Sequence, residues 1–166
     1  MFALKALSRE SVAGSLAKAE RYRLLNEPAA AESICRDILE VEPENQDALV
    51  CFVLALTDQI PYDKKAWQSG LATADRLARP YDRAYYSGIV WERRAKALFH
   101  EVNRGTDHSV YEWITRAMEY FEEAEKLRPT GNDDSLLRWN TCARFLNSHP
   151  NLTPRAQEIP DAILSE

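Results

Sequence analysis

Apolar positions recur every three or four residues along the chain, and proline with short polar side chains interrupts them at intervals. The clearest run is Val110, Ile114, Ala117, Phe121, Ala124 and Leu127, which share one stripe of a helix. Glu112, Arg116, Glu119, Glu122, Glu123 and Lys126 take the opposite side. Ala84, Gly88, Trp91, Ala95, Leu98 and Val102 form a similar stripe upstream, and its small members let a neighbouring helix approach closely. The interruptions are Asn26-Glu27-Pro28, Pro43-Glu44-Asn45, Pro61 with Asp63, Pro80 with Asp82, Gly105 to His108, and Pro129 to Asn132. The pattern therefore predicts seven helices, over 8–25, 28–41, 46–59, 64–78, 82–103, 110–127 and 133–147. Pro28 suits a first helical turn, Asn45 suits an N-cap, and Asp107 or Ser109 is expected to cap the sixth helix. No segment reads as a strand, so the expected fold is all-α, with antiparallel neighbours joined by short links. The helical domain is expected over 1–148, and 149–166, with Pro150, Pro154 and Pro160, as a flexible tail.

Composition agrees with that vocabulary: Ala (22), Leu (18), Glu (16) and Arg (15) dominate the 166 residues, whereas Gly is only 5. Net charge is −5 and the two signs are mixed along the chain, with no basic stripe to meet a phosphate backbone, so no nucleic-acid partner is expected. The longest strongly apolar stretch, Ala48 to Thr57, is about half of what spans a bilayer, so no membrane partner is expected either. Charge arrives too early in Met1 to Glu10 for an export leader, and a cytoplasmic location is expected.

The residues give little sign of catalysis. The five glycines are too scattered for a phosphate-cradling loop, and no GxSxG elbow exists. His100-Glu101 opens a zinc-protease motif, but Arg104 stands where the second ligand is needed. Cys35, Cys51 and Cys142 contain no CxxC pair and read as small core residues. Glu119, Glu122, Glu123 and Glu125 lack a histidine partner and read mostly as a solvated face. No catalytic residue, metal or cofactor is expected.

Spacing on two helices is more specific. Ala117, Phe121, Ala124, Leu127 and Pro129 repeat as Ala31, Cys35, Ile38, Val41 and Pro43, with Ala72 and Pro80 left of a third copy. This spacing resembles the tetratricopeptide-repeat (TPR) family over about residues 12–147, as three helix pairs and a closing helix. The resemblance implies an all-α helix-pair stack, a TPR-like α-solenoid, in which neighbours cover faces that one pair cannot bury alone. It also implies a protein-binding groove lined by the first helix of each pair. The matching positions are Leu16, Glu20 and Arg23, then Val50, Leu54 and Thr57, then Tyr85, Ile89 and Arg93, and on the closing helix Leu136, Asn140 and Arg144. Such a groove has an apolar middle and a basic end, which suits a peptide with apolar side chains and an acidic end. Members that grip chaperone tails use a Lys and Asn clamp; Leu16, Glu20, Val50 and Leu54 stand there instead, and Glu20 repels a carboxylate.

The function implied is a non-enzymatic adaptor, in a bacterial or similar cytoplasm, that binds a protein or peptide in the groove. Class II type III secretion chaperones are similar in length, acidity and three-repeat design, and form the first alternative. The second is a self-associating module, a homodimer through exposed Trp67, Tyr81, Tyr85 and Tyr86. The apolar and acidic segment Ile159 to Leu164 is a further candidate, as an autoinhibitor folded into the groove.

Overall fold

The computed structural model describes residues 2–101 and 107–155. After a 3-10 turn at Arg9–Ser11 the chain forms α1 (Val12–Leu24), α2 (Pro28–Val41), α3 (Gln46–Gln59), α4 (Ala66–Ala74), α5 (Pro80–His100), α6 (Asp107–Leu127) and α7 (Asp134–Asn147). The fold is all-α, with no strand among the described residues.

Local chemistry sets the boundaries. Asn26 adopts a left-handed φ of 62°, which ends α1. The amide of Asn26 then bonds the carbonyl of Arg23, and that of Glu27 bonds the carbonyl of Tyr22, so two of the last carbonyls are satisfied. Pro28 begins α2, where its missing N–H costs nothing. Asn45 caps α3, its side chain accepting from the Ala48 amide at 2.9 Å. Gly131, with φ 84°, turns the chain between α6 and α7.

Helix α3 is the centre of the N-terminal half. Ala48, Leu49, Cys51, Phe52, Val53, Ala55, Leu56 and Thr57 are all buried, because α1, α2, α4 and α5 each pack on it. This is why the most apolar stretch of the chain is a core helix. Each helix packs on the next, and α1, α3 and α5 also touch in sequence. The most extensive interface joins α5 to α6. Phe121 is fully buried there, against Gly88. A Cβ on Gly88 would stand 2.5 Å from Phe121 Cε1, so the glycine is what admits the ring.

The structure corrects several expectations. Helix α4 spans nine residues instead of the wider 64–78. Asp63 Oδ1 accepts from the Lys65 amide and holds the preceding turn, while Arg76 and Leu77 make tight bonds to Thr73 and Ala74 that close the helix. Helix α5 starts at Pro80, two residues early, and its expected end at Val102 and Asn103 lies outside the described residues. Helix α6 starts at Asp107, so Asp107 and Ser109 lie within the helix. Gly105 and Thr106 lie outside the described residues. Ala72 is exposed while Gly70, Thr73 and Ala74 are buried, so the third copy of the spacing does not mark the inner face of α4. Leu127 is exposed although the rest of its stripe is buried. Packing also continues past residue 148: Leu152 is buried in the cluster with Ile114 and Cys142.

Candidate functional site

The contacts among α1, α3 and α5 bring part of the expected groove together. Leu16, Glu20 and Arg23 of α1 and Asp47, Val50, Cys51 and Leu54 of α3 line one depression of about 160 Å³. Leu16, Val50 and Leu54 are half-buried, and Glu20 and Asp47 are exposed. The apolar side chains thus form a floor with carboxylates beside it.

An ion-pair chain crosses this face. Arg23 Nε donates to Asp58 Oδ2 at 2.6 Å, and Arg93 donates to Asp58 Oδ1 and, at 3.0 Å, to Thr57 Oγ1. One carboxylate on α3 therefore joins guanidinium groups from α1 and α5. The basic end expected at Arg93 is neutralised by that pairing. Asp58 lies one turn beyond Leu54 on the same face of α3, a spacing that places it among the groove positions.

Other expected positions fall elsewhere. Ile89 is buried in the core with Ala117 and Phe121, and Thr57 is buried beneath Arg93. Tyr85 is half-buried, its ring stacked on Tyr81 at 5.7 Å and edge-on to Tyr86 at 5.2 Å. Leu136 and Asn140 line a separate depression of about 550 Å³ that faces Glu122, Glu125 and Lys126 of α6. Arg144 is exposed. Arg138 of α7 reaches α5, where it lies beside Tyr85 and donates to Glu92 Oε2 at 3.3 Å. Glu92 is almost wholly buried and also accepts from Lys96 Nζ at 2.5 Å. Nothing in the apolar periodicity singles out Glu92, because its polar type at a core position runs against the pattern.

The aromatic residues expected to form a surface patch make contacts within the chain. Tyr81 is buried, and Trp67, Tyr85 and Tyr86 are half-buried. Trp67 instead stacks on the Arg94 guanidinium, 3.5 Å from its ring centroid, with Trp113 on the other flank at 3.6 Å. Burial between the indoles lowers the Arg94 pKa from its ordinary value.

The cysteines divide into a pair and a single residue. Cys35 of α2 and Cys51 of α3 stand about equally far from the turn at Pro43, so the antiparallel helices bring them level. Interaction between the two thiols raises the Cys35 pKa and lowers that of Cys51. Burial adds to the rise at Cys35; at Cys51 burial, Glu20 and Asp58 oppose the drop, and Arg23 favours it. Cys142 is buried apart from them, and loss of solvation pushes its thiol up to about 12.

Among the described residues no three His, Cys, Asp or Glu side chains gather as a metal site requires. No described helix is long and apolar enough to cross a membrane. Residues 159–164, the candidate autoinhibitor, lie outside the described residues. No known protein-family model matches the chain, and neither curated proteins nor solved structures yield a match.

Proposed function

We propose that this chain is a non-enzymatic peptide-binding module, built as a TPR-like stack of helix pairs. The carrying observation is the depression between α1 and α3, where Leu16, Val50 and Leu54 converge on the face shared by the first helices. Two features support the repeat reading. The positions Ala31, Cys35, Ile38 and Ala117, Phe121, Ala124 are all fully buried, as equivalent inner faces of α2 and α6. The succession of contacts from α1 to α3 to α5 also suits a stack.

The charge around the depression sets the chemistry of the ligand. Arg23 is taken up by Asp58, whereas no ion pair among the described residues engages Glu20 or Asp47. A peptide with an apolar anchor next to Lys or Arg therefore fits better than one with an acidic end. The test is a fluorescence-anisotropy titration of labelled peptides that pair a Leu or Phe anchor with flanking Lys or with flanking Glu. The wild type should prefer the Lys series, and the variant Glu20→Arg with Asp47→Arg should lose that preference by about tenfold or more. Both substitutions are on exposed side chains, and circular dichroism checks the fold. Equal binding of the two series, or binding that ignores the variant, would overturn the reading.

A further inference from the structure

We propose that copies of this chain associate head to tail, the outer face of α1 in one copy seating in the depression between α6 and α7 of the next. This contact is separate from the peptide site and does not depend on it, since it uses the other side of α1.

Exposed apolar side chains gather at the two ends of the packing succession. Among the described residues, every exposed large apolar side chain except Tyr62 belongs to the first 25 residues or to 127–137. A stack of helices needs a polar outer face on its terminal members to stay separate in water, and this chain departs from that at both places. On α1, Val12, Leu16, Ala19 and Arg23 are buried or half-buried, so Lys18, Arg21 and Leu24 take the opposite side, with Leu25 just beyond. Leu24 is 83% exposed. A Cβ on Gly14, on that same side, would meet nothing within 4 Å, so α2 and α3 leave the face open.

The receiving surface is the depression of about 550 Å³, lined by Leu136, Trp139 and Asn140 of α7 and by Glu122, Glu125 and Lys126 of α6. Leu127 and Leu137, the next residues in sequence after Lys126 and Leu136, are both exposed. Trp139 Nε1 donates to Glu122 Oε1 at 2.9 Å, which holds that carboxylate beside the indole.

Charge selects the occupant. Lys18 and Arg21 accompany the leucines of α1, whereas Glu122 and Glu125 outnumber Lys126 at the depression, with Glu119 and Glu123 exposed on the same helix. No ion pair among the described residues engages Lys18, Arg21, Glu122 or Glu125. Helix α1 shares no extensive contact with α6 or α7, so the two faces of one copy do not cover each other. A second copy supplies what each face lacks: leucines for an apolar depression, and cations for its carboxylates. Burial of the leucines drives the contact, and the charges fix partner and orientation. Because the two patches differ, the contact is heterologous, and it extends as a chain or closes as a ring.

Sedimentation velocity of the full chain over a wide concentration range tests this. The average mass should rise above that of a single chain as concentration increases, and added salt should lower it. Lys18→Glu with Arg21→Glu, and separately Glu122→Lys with Glu125→Lys, should each weaken association by about tenfold or more. An equimolar mixture of those two variants should associate again, because each then meets faces of opposite charge. Circular dichroism checks the fold of both. Carbodiimide cross-linking of mixed light and heavy isotope-labelled wild type needs no substitution, and should join Lys18 of one form to Glu122 or Glu125 of the other. A single-chain mass at every concentration, association that ignores either variant, or a mixture no better than its parts would overturn the proposal. So would a wild type without that cross-link between copies, or one in which Lys126 joins Asp161 of its own copy, which would make residues 156–166 the occupant.

Discussion

Glu92 is 1% exposed and carries a charge into the α5–α7 contact, so its surroundings decide what it costs. A buried carboxylate is tolerable only when it is paired, and here Lys96 and Arg138 pair it from two helices. The asymmetry between the partners gives a prediction. Replacing Lys96 and Arg138 together by Met should destabilise the protein by about 3–5 kcal/mol, because the carboxylate is left buried and alone. Glu92→Gln should cost less, since both cations are part-exposed and reach water. Denaturant midpoints of the two variants check the order, and a larger loss for Glu92→Gln would refute this account. At this scale the sequence was least legible. A period of 3.6 marks Ala84, Gly88 and Ala95 as inner positions, but it assigns no partner to a polar residue that lies between them. The same gap hid the pairing of Arg93 with Asp58, which turned an expected basic end into a neutral one.

Helices were far more legible than their contacts, because caps and breakers are local. Pro28, Asn45 and the left-handed Asn26 act within a few residues of themselves, and α2 and α3 have the expected bounds. Asn45→Ala should cost about 1 kcal/mol, read from the unfolding midpoint, because it removes the acceptor for the Ala48 amide. Asn45→Ser should recover most of that loss, and a silent Asn45→Ala would show that the cap carries no weight. Helix α4 resisted such reading for a physical reason. Its ends are set by turn bonds at Asp63 and Leu77, and its inner face by Val90 and Thr57, which pack against Gly70 from two other helices. A short helix of mostly small residues has too weak a stripe to show its own register.

The molecule as a whole responds to pH through groups that burial holds neutral. Loss of solvation pushes Tyr86 up to about 12, with Asp82 adding to it, and pushes Cys142 up to about 12. The folded state therefore keeps protons that the unfolded chain releases in alkali. The stability these groups supply is complete below their ordinary values and falls as pH rises from about 9 toward 12. Thermal midpoints should drop across that window, and Tyr86→Phe should make the drop shallower; an unchanged slope would exclude Tyr86 as a contributor. The all-α class was readable at this scale, and so was the adjacency of successive helices. The separation of the expected groove positions into two depressions was not, because Leu136 and Asn140 face α6 for reasons of tertiary packing. The clasp of Trp67 and Trp113 around Arg94 has a further consequence for anyone watching the protein unfold. The four tryptophans lie between residues 67 and 139, and none is in α1, α2 or α3. Trp67 and Trp91 are only 5.6 Å apart, so their emission and their near-ultraviolet dichroism report one neighbourhood. Loosening that begins at the N-terminal pair will be dark to indole fluorescence and visible only in the far-ultraviolet helix signal, so the two melting curves should separate whenever the chain opens from that end.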